Sequence, residues 1–328
     1  MSVLVTGATG VVGGAVLRHL LAANLSVRAL VRPGRELPVE VEAAMGDVLD
    51  YESVLAACRG VEVVYHLAGI NRMCQPRPEE MYRVNVDGTR HVVRACRSAG
   101  VRRLVYTSSA ATIGEPRGAV GNEDTAHRGS FHSHYERSKY QAEQMVVSEA
   151  SDLDYVIVNP SSVQGPGRAT GTGKLLLDVI NGRLPWLVDT TISVVDIDDC
   201  ARGHLLAAER GERGRRYLLN SFTTSVRQAV QILREVTGRK LNAHFLPMGL
   251  VSALAPALWL PLSLMRRRAP ICPEMVRTLR HGHAYDGGRA TRELGLVYTE
   301  PEETLRKLYE WASRQGLVSW VRPLPEGD

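Results

Sequence analysis

Short apolar segments alternate with amphipathic segments along the first half of the chain. The apolar segments have the length and β-branched content of buried strands, and the segments between them carry apolar residues at helical spacing. Strands that alternate with helices in this way form a parallel sheet with helices on both faces. The predicted strands begin near Val3, Ser26, Glu62, Leu104 and Tyr155, and the predicted helices cover about 51–58, 78–99 and the segment from Tyr135 onward.

This alternation ends after Gly165, where glycine, proline and arginine become frequent. The change predicts a second, smaller unit of structure. We therefore expect an α/β fold, a doubly wound parallel sheet of the Rossmann type with a smaller C-terminal substrate-binding lobe. The nucleotide-binding domain is assigned to residues 1–163, completed by about 188–216, and the lobe to residues 164–187 and 217–328.

A glycine-rich loop joins the first predicted strand to the first predicted helix. Gly7, Gly10 and Gly13 follow the strand Val3-Leu4-Val5. Glycines at this spacing allow a tight turn, a close approach of backbone to a pyrophosphate, and close packing of the helix against the strand. The loop therefore predicts a dinucleotide site, with cofactor contacts from Thr6, Gly7, Thr9, Gly10, Val11 and Val12.

The end of the second predicted strand favours NADP(H). A free ribose 2′-OH is usually bound here by an Asp or Glu, whereas an Arg accommodates a 2′-phosphate. The chain has Arg32, followed by Arg35, and no acidic residue before Glu36. A planar guanidinium suits a phosphate group. We predict NADP(H) as the cofactor and leave NAD(H) open, since a solvated arginine is also common at a strand end.

Charge and cysteine content narrow the function classes. The 328 residues carry a formal net charge of +5 from 40 basic and 35 acidic residues, which are interspersed and argue against a nucleic-acid partner. The cysteines are odd in number and form no CxxC pair, so they are interpreted as free thiols of a cytoplasmic protein. The first strand begins at residue 3, which leaves no room for a signal peptide. The five cysteines are Cys58, Cys74, Cys96, Cys200 and Cys272.

One long apolar segment raises the question of membrane insertion. Residues 245–265 contain no charged side chain and precede Arg266-Arg267-Arg268, a pattern similar to a membrane span. However, Pro247, Pro256 and Pro261 interrupt it. We predict broken helices that cover a substrate cleft, without stable membrane insertion. The candidates to face inward or to shield the cleft entrance are Leu250, Leu254, Leu258 and Trp259.

Tyr135 and Lys139 form a candidate acid–base pair. They lie four residues apart on a predicted helix, so their side chains share one face. An ammonium beside a phenol favours the phenolate, and the pair is therefore expected to lower the pKa of Tyr135. Lys139 is one of only four lysines in an arginine-rich chain, which makes a mere surface pair a weaker interpretation.

The predicted strand that begins near Leu104 ends in three residues with hydroxyl groups, Thr107, Ser108 and Ser109. Carboxyl ends of strands in open α/β sheets point into the ligand crevice. One of these hydroxyls is therefore expected to bind a substrate carbonyl.

Together these motifs resemble the extended short-chain dehydrogenase/reductases, over about residues 2–315. Within that family the chain is most similar to dihydroflavonol reductases, 3β-hydroxysteroid dehydrogenases and bacterial hopanoid-associated sugar epimerases. The segments that carry the resemblance are TGATGVVG (6–13), GDVLD (46–50), HLAG (66–69), VNVDGT (84–89), YTSSA (106–110), YERSK (135–139) and NPSSVQGPG (159–167).

The resemblance implies a role for several of these residues. Tyr135 becomes the proton donor or acceptor, Lys139 its pKa modulator and ribose ligand, and Ser109 the carbonyl anchor, with Ser108 as the alternative. Asn85 is expected to shape its helix, and Asp199 to cap a later helix. The further residues implied to line the cofactor are Asp47 and Val48 at the adenine, Leu67, Ala68, Gly69 and Thr107 along its length, and Pro160, Ser162 and Val163 beside the nicotinamide.

One departure from the family bears on the substrate. Members that act on nucleotide sugars usually carry Arg-x-Phe-Asn before the Val-x-Gly turn, and here Asn159 and Ser162 occupy those two places. The favoured function is NADPH-dependent reduction of a fairly apolar small-molecule ketone, or oxidation of the corresponding secondary alcohol. The alternatives are a sugar epimerase or dehydratase that recycles its cofactor, and a non-catalytic NADP(H) sensor. A homodimer stays open.

No metal site is predicted. The histidines of the loop before Tyr135, His127, His132 and His134, are irregularly spaced in a glycine- and serine-rich segment. Metal-binding sequences usually place their ligands at characteristic short spacings.

Overall fold

Seven parallel strands form the central sheet of the protein. The computed structural model describes residues 1–37, 39–75, 77–264 and 272–319. The strands in that part of the chain are β1 (Ser2–Thr6), β2 (Ser26–Val31), β3 (Glu42–Met45), β4 (Val63–His66), β5 (Arg103–Thr107), β6 (Val120–Gly121), β7 (Asp154–Pro160), β8 (Ser162–Gln164), β9 (Trp186–Val188), β10 (Thr191–Asp196), β11 (Arg216–Leu219), β12 (Phe222–Ser225), β13 (His244–Leu246) and β14 (Ala284–Tyr285).

The order of the central strands is β11-β7-β5-β4-β1-β2-β3, and every neighbouring pair is parallel. The chain thus runs outward from β1 to one edge and then crosses back to β4 and the other edge. The predicted doubly wound Rossmann sheet is confirmed. Its strands end at one common edge, where β1 and β4 reverse the order, and this is where open α/β sheets bind ligands.

Helices connect these strands. They are α1 (Val11–Ala22), α2 (Tyr51–Cys58), α3 (Glu79–Tyr82), α4 (Thr89–Ser98), α5 (His134–Glu149), α6 (Gly171–Ile180), α7 (Ile197–Arg210), α8 (Val226–Thr237), α9 (Met248–Leu264), α10 (Pro273–His281) and α11 (Pro301–Arg314). A π-helical turn, Arg83–Gly88, joins α3 to α4, and a second occupies Ala290–Leu294. A 3-10 turn, Ala110–Ile113, follows β5.

Alternate residues of each central strand enter opposite cores. On β1, Val3 and Val5 pack on the face that α1 and α7 cover, whereas Leu4 packs on the face that α2, α4 and α5 cover. Because both faces are buried, these strands have the nearly continuous apolar sequence that is typical of parallel sheets. A separate apolar core joins α6, α8 and α11 beyond the sheet.

Small sheets connect the C-terminal segments to the rest. β8, β10 and β12 form one of them, β9 pairs with β13, and β6 pairs with β14. The β6–β14 pair sets Val120 opposite Ala284 and Gly121 opposite Tyr285. It therefore ties the loop after β5 to the segment after α10.

The apolar segment forms one helix, α9, rather than the predicted broken helices. Pro247 precedes the helix and its carbonyl accepts the Leu250 N–H at 3.1 Å, whereas Pro256 and Pro261 lie within the helical range. Leu250 and Leu254 are 46% and 51% exposed, so they do not face the protein interior, and the alternative that they shield the cleft entrance stays a prediction. The Leu258 side chain lies outside the described residues. Within the described ranges, none of the helices has the length and apolar character needed to cross a lipid bilayer.

Two of the five cysteines form a disulfide, Cys74–Cys272, so the prediction of five free thiols is wrong. The two residues lie 198 positions apart, and only the fold brings them together. Cys58, Cys96 and Cys200 are free and buried. The inference of a reducing compartment therefore loses its support, because it depended on all five thiols being free.

Candidate active site

The glycine-rich loop holds β1, α1 and the end of β4 in close contact. Gly7 has φ = +75°, and a Cβ there would lie 2.6 Å from the Ala68 nitrogen. A Cβ at Gly13 would lie 2.1 Å from the Gly7 carbonyl oxygen. Neither position accepts another residue without a shift of backbone, as expected from the tight turn and the close helix–strand packing.

The beginning of α1 fits a pyrophosphate. The helix starts after Gly10 without a side-chain cap and without an acidic residue in its first turn. Thr9 and Gly10 are exposed at the carboxyl edge of the sheet. Uncapped N–H groups and the positive end of the helix dipole attract an anion. Val11 and Val12, which follow, are half-buried and border this position.

A buried chain of hydrogen bonds fixes the cofactor side of β4. Thr89 donates to the Asn85 carbonyl at 2.6 Å, so its oxygen accepts the His66 Nε2 proton at 2.9 Å. His66 Nδ1 then accepts from the Thr6 hydroxyl at 2.7 Å. Burial lowers the pKa of His66 to about 3, which keeps this single neutral tautomer.

The Thr6 side chain is therefore directed into the core. Its oxygen also accepts the Ala68 N–H at 3.3 Å. It is fully buried, so it supports the Leu67–Gly69 turn rather than offering a hydroxyl to the crevice. Its predicted cofactor contact is thus left to backbone atoms.

The far end of the predicted cofactor site is lined by β2 and β3. Arg32 and Arg35 are exposed beyond the end of β2. Asp47 is half-buried, and its carboxylate accepts the Leu49 N–H at 2.9 Å, while Val48 is buried. The guanidinium groups are therefore accessible where a 2′-phosphate is predicted.

Ser109 and Tyr135 meet at the end of β5. The Ser109 hydroxyl lies close enough to the Tyr135 phenol to lower its pKa. Ser109 begins the 3-10 turn and its oxygen also accepts the Ala111 N–H at 3.3 Å. Ser133 caps α5, which starts one residue before Tyr135, by accepting the Glu136 N–H. The structure thus brings the predicted carbonyl anchor and the predicted proton donor together.

The acidity of Tyr135 departs from expectation. Burial raises its pKa, while the nearby Ser109 hydroxyl and the positive charge of Arg168 lower it in part. Lys139 donates instead to the Thr107 carbonyl oxygen at 2.7 Å and lies 4.7 Å over the Tyr106 ring. The prediction that Lys139 lowers the pKa of Tyr135 is therefore wrong for this structure, because desolvation of the phenol outweighs the neighbouring charges.

Arg168 was not among the residues predicted from the sequence. It lies in the turn after β8, and its charge acts on Tyr135. Its Nε is buried without a hydrogen-bond partner among the described residues. No periodic or motif signal marks this residue, since the surrounding Gly-Pro-Gly-Arg segment indicates only a turn.

A buried hydrogen-bond network engages the Ser108 hydroxyl, so that this hydroxyl is not available to a substrate. The Glu143 carboxylate accepts the Ser108 hydroxyl at 2.5 Å, the Thr112 hydroxyl at 2.8 Å and the Asn159 amide at 2.8 Å. Arg216 neutralises its other oxygen at 3.3 Å. The Ser108 hydroxyl is thus engaged in structure, which leaves Ser109, whose hydroxyl does not contact Glu143, as the candidate anchor.

Asn159 supports the same turn. It is fully buried, and its amide also donates to the Ser109 carbonyl at 3.2 Å. Pro160 ends β7, and Val163 is buried in β8. The Ser162 hydroxyl accepts from Gln164 at 3.0 Å. The predicted nicotinamide-side residues therefore lie where the central sheet passes into the smaller one.

Two structural predictions have different outcomes. Asn85 lies in the π-helical turn, and its amide bridges the Ile70 carbonyl at 3.0 Å and the Ser138 hydroxyl at 2.9 Å, as expected of a residue that shapes the helix. The cap of α7 is Asp196, not Asp199. Asp199 lies inside the first turn and accepts the Thr299 N–H at 2.6 Å. The prediction that Asp199 caps the helix is wrong, because another aspartate, Asp196, directly precedes the helix.

The chain belongs to the NAD dependent epimerase/dehydratase family, which matches residues 3–219. Fold, glycine loop and Tyr/Lys pair all agree with that membership. The protein is therefore an NAD(P)-dependent oxidoreductase, in a family that includes reductases and epimerases.

Named relatives match over almost the whole chain. Sterol demethylase protein B of Methylococcus capsulatus is 35% identical, over 97% of this chain and 100% of that protein. The 2-alkyl-3-oxoalkanoate reductase of Stenotrophomonas maltophilia is 30% identical, over 94% and 98%. The crystal structure of gox2253 superimposes with a TM-score of 0.85 at 31% identity, over 97% of this chain and 99% of that one.

Proposed function

We propose that the protein reduces an apolar small-molecule ketone with NADPH, or oxidises the corresponding secondary alcohol. The proximity of the Ser109 hydroxyl to the Tyr135 phenol carries this proposal. It sets two hydroxyl donors side by side at the carboxyl edge of the sheet, where a carbonyl oxygen accepts from both. When bound, the nicotinamide cofactor supplies or accepts the hydride.

The proton belongs to Tyr135. In the direction of reduction, the phenol gives its proton to the carbonyl oxygen as that oxygen becomes an alkoxide, and Ser109 holds the oxygen in place. Burial raises the pKa of Tyr135, so the phenol is protonated before the reaction. The positive charge of Arg168 then stabilises the phenolate that forms.

The choice of a ketone over a nucleotide sugar rests on Asn159. At the position where sugar-nucleotide enzymes of the resembled family carry an arginine, this chain has an amide that is fully buried and engaged with Glu143, Thr112 and Ser109. No cation is offered there to a diphosphate. Two relatives are named for a sterol and for a 3-oxoalkanoate, and both names support a hydrophobic substrate.

The preference for NADPH rests on Arg32 and Arg35, the exposed cations beyond β2. A 2′-phosphate carries more charge than a ribose hydroxyl and gains more from a guanidinium. No acidic residue lies between the end of β2 and Arg35, and Glu36 is the first one that follows.

The decisive experiment follows absorbance at about 340 nm with purified protein, NADPH, and a panel of steroid ketones and 2-alkyl-3-oxoalkanoates. A reductase consumes NADPH in proportion to ketone. An epimerase interconverts UDP-sugars without net change in the cofactor, and a sensor binds NADPH without turnover. UDP-sugar conversion without ketone reduction, or binding without any turnover, would refute the proposal in favour of the respective alternative.

A further inference from the structure

Glu115, His281 and His283 meet at the junction between the loop after β5 and the segment after α10. Glu115 follows the 3-10 turn, His281 ends α10, and His283 precedes β14. The Glu115 residue is separated from the two histidines by 166 and 168 positions. The β6–β14 pair brings the two segments together, so this cluster is a product of the tertiary fold.

The spacing of the donor atoms suits a small transition-metal ion. Glu115 Oε1 lies 2.7 Å from His283 Nδ1 and 3.3 Å from His281 Nε2. One ligand atom from each of the three residues lies within 4.8 Å of the others. Ligands bound to zinc at about 2.0–2.1 Å in a tetrahedral site are separated by roughly 3.3 Å. The Glu115–His281 separation already matches this value, and the Glu115–His283 separation is shorter.

Two buried atoms at this junction have no hydrogen-bond partner among the described residues. Glu115 is 1% exposed, yet its second oxygen, Oε2, is unpaired. His132 Nε2 is also buried and unpaired, and the His132 ring lies 4.4 Å from the His281 ring. A buried carboxylate oxygen without a partner is costly, and such atoms call for an explanation. Hydrogen bonding within the Glu–His cluster leaves both atoms unexplained.

We propose that Glu115, His281 and His283 bind one divalent transition-metal ion, that this ion is zinc, and that water takes the fourth position. Two imidazoles and one carboxylate are donors that zinc accepts, whereas magnesium and calcium prefer an all-oxygen set. The neighbouring Tyr285 hydroxyl, 3.0 Å from His283 Nδ1, completes the polar surroundings. The ion cross-links the loop that leads to α5 with the segment after α10. It is independent of the reaction proposed above.

The test is a titration of the full-length, chelator-treated protein with zinc chloride alone, with the Cys74–Cys272 disulfide intact and monitored by calorimetry. We expect one zinc per chain. Glu115→Gln, His281→Ala and His283→Ala should each weaken zinc binding by at least about tenfold, the lower end of the loss seen when even a supporting residue of a metal site is removed. His134→Ala is the matched control, because His134 lies near His132 but contacts Tyr82 and Glu274.

Two further measurements distinguish a loss of zinc binding from misfolding of the variant and from binding at a second site. Zinc should raise the melting temperature of the wild type and of His134→Ala by more than that of Glu115→Gln, an isosteric variant whose circular-dichroism spectrum checks that it folds. The other group of potential ligands is Glu274 with Cys74 and Cys272, once their disulfide is reduced. Cobalt bound there would show near-ultraviolet thiolate-to-metal charge transfer. Cobalt bound by Glu115 and the histidines should show d–d bands without that charge transfer. Absent binding, thiolate charge transfer, or unchanged affinity in all three ligand variants would overturn the proposal.

Discussion

The ammonium of Lys139 donates a 2.7 Å hydrogen bond to the carbonyl oxygen of Thr107. Burial lowers the pKa of Lys139 to about 8, so the group is mostly charged at neutral pH. The Thr107 hydroxyl is itself oriented by His204: Nδ1 of that imidazole donates to the Cys200 carbonyl at 2.7 Å, so Nε2 accepts from Thr107 at 2.9 Å. The end of β5 is thus held from both sides, and this places Ser109 opposite Tyr135.

Replacing Tyr135 by Phe should lower kcat by about 10²–10⁴-fold, because the phenol moves the proton of the reaction. NADPH affinity, measured by fluorescence titration, should stay nearly unchanged. Tyr140→Phe is the matched control: Tyr140 lies on the same helix but packs against His127 and Phe131. Full activity in Tyr135→Phe would refute the proposed mechanism.

Ser109→Ala and Ser108→Ala should separate catalysis from stability. Ser109→Ala removes a donor to the substrate oxygen and should lower kcat/KM by about 10²-fold or more. Ser108→Ala removes a buried hydrogen bond to a carboxylate and should lower the free energy of unfolding by about 1.5–3 kcal/mol while kcat is largely retained. Kinetics and urea unfolding of both variants check this, and the reverse pattern would make Ser108 the anchor.

Arg168→Met should raise the pKa of Tyr135, because it removes the positive charge that stabilises the phenolate. In the direction of alcohol oxidation, where Tyr135 must act as a base, the rising limb of the kcat/KM profile should move to higher pH. The loss of rate at neutral pH should stay below that of Tyr135→Phe. An unmoved limb would show that Arg168 has no electrostatic role; Arg168→Lys, which keeps the charge, is the control.

Arg32→Glu should weaken NADPH binding more than NADH binding. A charge-assisted contact contributes about 1.5–3 kcal/mol, which corresponds to roughly tenfold to a hundredfold in affinity. Titration of both cofactors measures the difference. Arg94→Glu, the same charge change at an exposed position of α4, should affect neither. Equal losses for the two cofactors would place the preference elsewhere.

The free energy of unfolding should fall in mild acid, because two buried histidines stay neutral in the folded protein. Burial lowers the pKa of His66 to about 3 and that of His204 to about 4, whereas an unfolded histidine titrates near 6.5. Only the unfolded chain takes up these protons as pH falls below about 6.5, so stability is full above that pH and decreases towards pH 4. Each group contributes up to about 1.4 kcal/mol per pH unit.

Urea unfolding at pH 7 and pH 5 measures this dependence. His66→Asn should be less stable at pH 7 but should lose less on acidification than the wild type. His244→Asn, at an exposed histidine, should keep the wild-type dependence. An equal pH dependence in His66→Asn and the wild type would contradict the assignment.

Local patterns were enough to predict the sheet, the glycine loop and the Tyr135–Lys139 pair. Each depends on residues close in sequence: β-branched segments specify buried strands, glycines at fixed spacing specify the turn at Gly7, and a separation of four residues sets two side chains on one helix face. The family follows from the same short motifs. These features could therefore be obtained without knowledge of any long-range contact.

Only the tertiary structure decided which of these groups act together. Ser108 and Ser109 are equivalent in sequence, and the buried Glu143 distinguishes them across 35 positions. Cys74 and Cys272, and Glu115 with His283, are joined across 198 and 168 positions. The net rise in the pKa of Tyr135 likewise reflects burial, which depends on every element packed around it. Such pairings leave no periodic signal, because the chain between the partners is free to vary while the folded surfaces bring them together.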